Sequence, residues 1–186
     1  IKPASGWTQA PADAKEFTVL LSGGLIRRPS LILKNDAGIY DRVALYKSKK
    51  ETEPLVVLPL GEFVIEIIDD AIKNDKIYRV NRNMKLLKLD PEGKNLTIYV
   101  SASMDTENDS LWHPKRLFKE VSENVGYPMP TSMIGCQDPL LITDRMLANW
   151  QATADWQADS IHYLIEKEEL DVVFSHFHNV DLEAHM

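Results

Sequence analysis

The sequence is poor in the features that indicate a disulfide-stabilised, membrane-spanning or nucleic-acid-binding protein. Cys136 is the one cysteine in 186 residues, so an internal disulfide is excluded. Acidic residues outnumber basic residues by 28 to 21, and this excess argues against binding to a nucleic-acid backbone, which needs a basic surface. No apolar run approaches the roughly 18 residues of a membrane span. The hydrophobic fraction of 44% is instead typical of a globular protein.

The two ends of the sequence carry no targeting information. Residues 1–16 lack the apolar stretch of a signal peptide. The chain starts at Ile1 rather than at Met, and a histidine-rich motif stands at its C-terminal boundary. Both features predict that the chain is a piece of a longer protein, and they leave its compartment open.

Residues 16–103 carry a dense β-strand signal after a lead-in segment, residues 1–15, that is rich in Pro, Ala and small polar residues. The strand-like runs are EFTVLLSG, PSLILKN, YDRVALYKS, PLVVLP, EFVIEII, YRVNRNMKLLKLD and LTIYVSA. Turn residues separate several of them, and the clearest turn is DPEG at residues 90–93. Charged residues interrupt the apolar ones, as expected for strands with one face in water. The region is therefore predicted to form a mostly antiparallel sheet.

Two adjacent arginines stand at the entrance to one of these strands. Arg27 and Arg28 directly precede Pro29. A pair of guanidinium groups could hold a phosphate or a carboxylate through two parallel hydrogen bonds. Their position before a proline favours a solvated loop instead.

Residues 104–186 change to a helical pattern. HPKRLFKEVSENVGY is predicted to form one helix that ends at Gly126, and the segment from residue 138 to 170 is helical in period, in two pieces. LDVVFSHFH, which begins at Leu170, is predicted to form a buried strand. A helix that leads into an apolar strand is an α/β unit, and ligands bind beyond the carboxyl ends of such strands.

Four potential metal ligands follow one another within ten residues at this strand end. His176 and His178 would share one face of the strand, while Asp181 and His185 are four residues apart, about one helical turn. A His-x-His pair is more often structural, and Asp181 could simply cap a helix that starts at Leu182. The density of potential ligands in a chain with five histidines makes a metal role as strongly indicated as a structural one, and the sequence pattern alone does not decide between them.

The segment from Trp156 to His185 resembles an element of the type I phosphodiesterases and nucleotide pyrophosphatases of the alkaline phosphatase superfamily. In that family a Trp-bearing helix leads to a strand and then to an Asp-x-x-x-His turn, commonly written Asp-x-x-Gly-His. Asp181 and His185 match this motif, with Ala184 where the family usually has Gly. The resemblance implies that Asp181 and His185 bind one of two divalent metal ions, usually zinc, with manganese as the other candidate.

The resemblance also implies what the rest of the chain does. The fold would be α+β, with the β-rich region 16–103 as a cap or insertion and the end of residues 104–186 as part of the catalytic core. The partners would be a small-molecule phosphate ester and the remainder of the chain's own catalytic domain. The family's nucleophile and its other ligands have no counterpart in residues 1–150, so no catalytic residue is assigned. The 186-residue chain alone is predicted to be inactive. The alternative is a non-catalytic β-rich module that binds a ligand or a carbohydrate. Any metal or substrate contact of His176 and His178 falls outside the family pattern.

Overall fold

The computed structural model describes residues 1–130 and 139–176, and it divides the chain into two units, Ile1–Ser103 and Met104–Met186. The strands in the described residues are β1 (Lys2–Pro3), β2 (Lys15–Leu21), β3 (Ile26–Lys34), β4 (Tyr40–Leu45), β5 (Val56–Pro59), β6 (Phe63–Lys73), β7 (Lys76–Leu89), β8 (Leu96–Val100) and β9 (Met104–Asp105). The helices are α1 (Arg116–Asn124) and α2 (Pro139–Glu168). The predicted α+β class with a mostly antiparallel β-rich part is confirmed.

The first unit contains two antiparallel sheets rather than one. Strands β1 to β5 form the first sheet in sequence order, and β6, β7 and β8 follow one another in the second. Side chains from both sheets meet in one core, whose fully buried members include Ile32, Val43, Leu45 and Leu58 from the first sheet and Met84 and Leu86 from the second. Burying these side chains, at about 1.5–3 kcal/mol each, is what holds the two sheets together.

The first sheet is also covered on its opposite face. Leu31 and Ala44 point away from the main core because neighbouring residues on a strand alternate in direction. Trp7, in the N-terminal segment, packs against this side and meets Tyr46 edge-to-face with 5.1 Å between ring centroids. The segment before β2 is therefore held against the sheet by packing, and β1 adds a short antiparallel pairing with β2.

Turn chemistry sets the two hairpins of the second sheet. Asn74 and Asp75 join β6 to β7, and both have positive φ angles, 52° and 58°, as the tight turns favoured by twisted hairpins require. The predicted turn at residues 90–93 joins β7 to β8. There the Gly93 N–H donates to the Asp90 carbonyl oxygen at 2.9 Å, and Gly93 has a φ of 61°.

The second unit contains the two predicted helical regions. In α1 the side chains of Phe118 and Val121 are buried, and the N–H of Gly126 donates to the Val121 carbonyl oxygen beyond the helix end. The prediction of two helical pieces after residue 138 was wrong, because α2 is one helix of 30 residues. No proline or glycine interrupts its sequence, so nothing in the chain breaks the hydrogen-bond ladder.

Helix α2 ends in a Schellman motif without a glycine. Glu169 takes the left-handed conformation with a φ of 52°, and the Leu170 N–H donates to the Ile165 carbonyl oxygen at 3.2 Å. The chain then leaves the helix axis. None of the helices in residues 1–130 and 139–176 has both the length and the apolarity that crossing a bilayer requires.

Candidate functional site

Most of the predicted metal ligands lie outside the described residues. Asp181, His185 and His178 fall in the part of the chain after residue 176, and His176 is the last residue that the structure describes. Within residues 1–130 and 139–176, no three His, Cys, Asp or Glu side chains form a group that could hold a metal ion. The metal site therefore stays a prediction, and the structure bears on the segment that leads to it.

The predicted buried strand after α2 was wrong over the residues that the structure describes. Residues 170–176 form neither strand nor helix, and the side chains from Asp171 to His176 are exposed. Phe174 is 96% exposed and Val172 is 69% exposed. The physical reason is that an isolated strand leaves its backbone donors and acceptors unpaired, and none of the described strands pairs with this segment.

The Gln157 side chain of helix α2 contacts the end of the described part of this segment. The Gln157 Nε2 group donates to the Ser175 Oγ at 2.7 Å and to the His176 carbonyl oxygen at 2.8 Å. An amide nitrogen carries two hydrogens, so these two bonds use its whole donor capacity. The preceding residue, Trp156, points to a different side of α2, and its indole Nε1 donates to the Gly126 carbonyl oxygen at 2.9 Å. Helix α2 therefore also contacts the chain that follows α1. Gln157 was not predicted from the sequence, because no local pattern indicates a partner 18 residues away.

A buried ion pair was also missed by the sequence analysis. Arg28, predicted to lie in a solvated loop, is in strand β3 and only 7% exposed. Its Nε and Nη2 groups donate to the Asp69 carboxylate on β6, with Nη2 and Oδ1 2.5 Å apart, and the Asp69 side chain is fully buried. The pair connects the first sheet to the second. A guanidinium whose donors face a buried carboxylate is occupied, so this arrangement is structural and does not offer a phosphate site.

A second buried arginine, Arg82, belongs to this cluster. Arg82 on β7 is 5% exposed, and its Nη2 donates to the Asp70 carbonyl oxygen at 2.9 Å. Burial lowers the pKa of Arg82, and the negative charge of Asp69 counteracts part of this effect. The partly exposed Asp70 carboxylate also pairs with Lys47, whose Nζ lies 3.6 Å from the Asp70 Oδ2. The Asp69 charge therefore serves two buried guanidinium groups.

Glu16 is a buried carboxylate at the base of the N-terminal segment. Its side chain is 4% exposed, and it accepts hydrogen bonds from the Trp7 Nε1 and the Lys49 Nζ, each at 2.6 Å. Burial raises the pKa of Glu16, but hydrogen bonds from Lys49, Trp7, Ser5 and Lys2 outweigh it and bring the pKa to about 2. A carboxylate that is this acidic and this fully bonded is a poor proton acceptor, so Glu16 anchors the N-terminal segment and is no general base.

One surface depression of the first unit lies beside a turn whose acidic residue already has hydrogen-bond partners. It has a volume of about 490 Å³ beside the β7–β8 turn, and its lining includes Leu60, Lys88, Asp90 and Thr97. The Asp90 carboxylate is already used within the turn, where it accepts from the backbone N–H groups of Lys94 and Asn95 at 2.8 and 2.7 Å. Its pKa is lowered by these bonds, the Lys94 N–H first. Asp90 therefore shapes the turn.

Comparison with known proteins found no match: no protein-family model, no curated protein and no solved structure matches the chain.

Proposed function

We propose that this chain is part of a metal-dependent phosphodiesterase or phosphohydrolase of the alkaline phosphatase superfamily. The β-rich region 16–103 is the cap or insertion over the active site. Helix α2 and the residues after it belong to the catalytic core, and Asp181 and His185 contribute ligands to one divalent metal ion. The support in the sequence is the Asp-x-x-x-His motif and the Trp-bearing helix that precedes it.

The observation that carries this proposal is the exposure of an apolar, strand-forming segment directly before the motif. Val172 and Phe174 would share one face of a strand, yet they are 69% and 96% exposed. Leaving a phenylalanine in water forgoes about 2–3 kcal/mol of burial. A segment of this kind is stabilised when it joins a sheet, and the proposal supplies that sheet from the remainder of the catalytic domain. A self-contained binding module has no such need.

The donor set of the motif fits the proposed cofactor. A carboxylate oxygen and an imidazole nitrogen are accepted by both zinc and manganese. When bound, two such ions supply Lewis-acid stabilisation of the charge on a phosphate ester in an in-line displacement. Asp181 and His185 would hold one ion. A zinc site needs three or four protein or solvent ligands, so these two residues alone bind metal weakly, and the nucleophile and remaining ligands come from elsewhere in the catalytic domain.

The proposal is tested by hydrolysis of two chromogenic substrates, a phosphodiester and a phosphomonoester, with the natural chain that contains these residues. Activity is measured with zinc, with manganese and with a chelator. We expect metal-dependent turnover that the Asp181→Ala variant loses. Asp171→Ala is the matched control, because Asp171 is an exposed aspartate of the same segment outside the motif.

Two results would contradict the proposal. One is a wild type that hydrolyses neither ester, and the other is an Asp181→Ala variant as active as the wild type. Either result would favour the β-rich unit as a ligand- or carbohydrate-binding module. The ratio of diesterase to monoesterase activity would identify the reaction if turnover is found.

A further inference from the structure

Two β-hairpins of the first unit end beside each other, one from each sheet. Residues 22–25 join β2 to β3, and Asn74 and Asp75 join β6 to β7. The Ile72 N–H donates to the Ser22 Oγ at 3.0 Å, so the two hairpin ends are in direct contact. We call residues 20–27 and 72–77 together the hairpin surface.

The hairpin surface exposes large aliphatic side chains. Leu25 lies in the turn between β2 and β3 and is 65% exposed, while Leu20 on β2 and Ile77 on β7 are 57% and 73% exposed. Turns are formed by Gly, Asn, Asp and Ser, and both turns contain such residues, so the aliphatic side chains are not needed to make them. Leaving these side chains in water forgoes the free energy of their burial. Several of them at one end of a unit indicate an interaction surface.

The same surface is basic, although the chain as a whole is acidic. Arg27, Lys73 and Lys76 are exposed on it, and Asp75 is its one acidic residue, whereas the whole chain has a net charge of -7. None of the three basic side chains forms an ion pair with any of the described residues. Their charges are therefore available to a partner, and a fitting partner offers negative charge together with an apolar layer.

We propose that the hairpin surface docks on the anionic surface of a lipid bilayer. Aliphatic side chains of interfacial segments enter the boundary between headgroups and acyl chains to a depth of about 5–10 Å, and neighbouring Lys and Arg side chains contact anionic headgroups. Two tight turns project few side chains, too few for the roughly 800 Å² that each partner contributes to a stable protein interface, whereas a fluid bilayer adapts to separate protruding side chains. The surface lies in the first unit, so this inference does not rest on the proposed function or on its metal motif.

The test is cosedimentation of the natural chain with vesicles of phosphatidylcholine alone and with vesicles of an equal mixture of phosphatidylcholine and phosphatidylglycerol. We expect weak, reversible binding to the mixed vesicles that decreases as salt is added, because ions screen the headgroup charges. The double variant Leu25→Ser/Ile77→Ser is expected to lower the partition coefficient about 10-fold or more, because two inserted aliphatic side chains are lost. Ile39→Ser is the matched control, since Ile39 is an exposed isoleucine between β3 and β4, at the opposite end of β3.

Two further variants test the charges and exclude unfolding as the cause. Lys73→Gln/Lys76→Gln removes two headgroup contacts and is expected to lower binding to the mixed vesicles about 10-fold or more. Lys88→Gln/Lys94→Gln is its control, because these two exposed lysines lie at the other end of β7 and in the turn after it. Leu25→Trp is expected to bind more tightly than the wild type, because Trp favours the bilayer interface, and a gain of binding cannot result from unfolding.

The outcomes decide the inference. Weaker binding of both hairpin double variants, tighter binding of Leu25→Trp and unchanged controls support it. A wild type that sediments with neither kind of vesicle overturns it, and so do controls that bind as weakly as the hairpin variants or hairpin variants that bind like the wild type. Sedimentation velocity without lipid tests another occupant. A dimer that Leu25→Ser/Ile77→Ser dissociates would mean that a second copy covers this surface, and it would overturn the inference as well.

Discussion

The Arg28–Asp69 pair is the interaction whose removal we expect to cost the first unit most. Asp69→Asn keeps the volume of the side chain but removes its charge. The guanidinium groups of Arg28 and Arg82 then stay buried, at 7% and 5% exposure, without the Asp69 charge, while the partly exposed Asp70 carboxylate remains 3.4 Å from the Arg28 Nη2. Removing one partner of a buried ion pair typically costs about 3–5 kcal/mol. Because an asparagine oxygen still accepts one hydrogen bond, we expect a loss of about 3 kcal/mol in the free energy of unfolding.

The assay is urea denaturation of the full chain, followed by far-ultraviolet circular dichroism, with Asp41→Asn as the matched control. Asp41 also pairs with an arginine, Arg42, at 2.8 Å, but the two side chains are 32% and 42% exposed. Pairs in water contribute little, so the control is expected to lose less than about 1 kcal/mol. Equal losses in the two variants would refute the argument that burial makes the Asp69 charge necessary.

A double substitution tests the same reasoning from the other side. Arg28→Met with Asp69→Leu removes both charges and fills the space with apolar atoms. Replacing a buried ion pair in this way is often neutral or stabilising, so the double variant is expected within about 1 kcal/mol of the wild type or above it. A double variant as unstable as Asp69→Asn would mean that the pair contributes through its geometry and not by mutual neutralisation.

Two further predictions concern the first unit. The pKa of Glu16 is lowered from an ordinary 4.5 to about 2, so its stabilising effect is present above pH 4.5 and is lost as the pH falls toward 2. The lysine partners of Glu16 are partly exposed, so water screens their charges and reduces the effect. We expect Glu16→Gln to lower the free energy of unfolding by about 1–2 kcal/mol near neutral pH, measured by urea denaturation across this pH window. Gly93→Ala would place a Cβ 2.9 Å from the Tyr40 ring at a positive φ, and we expect a loss of about 2 kcal/mol in the same assay.

Each of these predictions has its own control. Wild type and Glu16→Gln should converge in stability near pH 2, and a difference that persists there would contradict the linkage argument. Gly38 also has a positive φ, 77°, but a Cβ there meets nothing within 4 Å. Gly38→Ala therefore reports backbone strain alone, about 1 kcal/mol, and equal losses at the two glycines would contradict a steric role for Tyr40.

Local patterns in the sequence were sufficient to predict most elements of the first unit. Alternating apolar residues and turn signals such as DPEG predicted its longer strands, because strand periodicity and turn propensity depend on neighbouring residues. The same patterns predicted α1 and the helical character of α2. They also identified Asp181 and His185 as candidate ligands by their spacing, and that prediction concerns residues after the described part of the chain.

Contacts between distant residues were decided only by the tertiary structure. The burial of Arg28 depends on Asp69, 41 residues away, and the division into two sheets depends on which strands find partners. Residues 170–176 include a strand-like apolar run, but they form no strand, because a strand requires a neighbouring strand to pair its backbone groups. Gln157 has no distinguishing local pattern, and its hydrogen bonds to Ser175 and His176 depend on the turn that brings these residues back to α2.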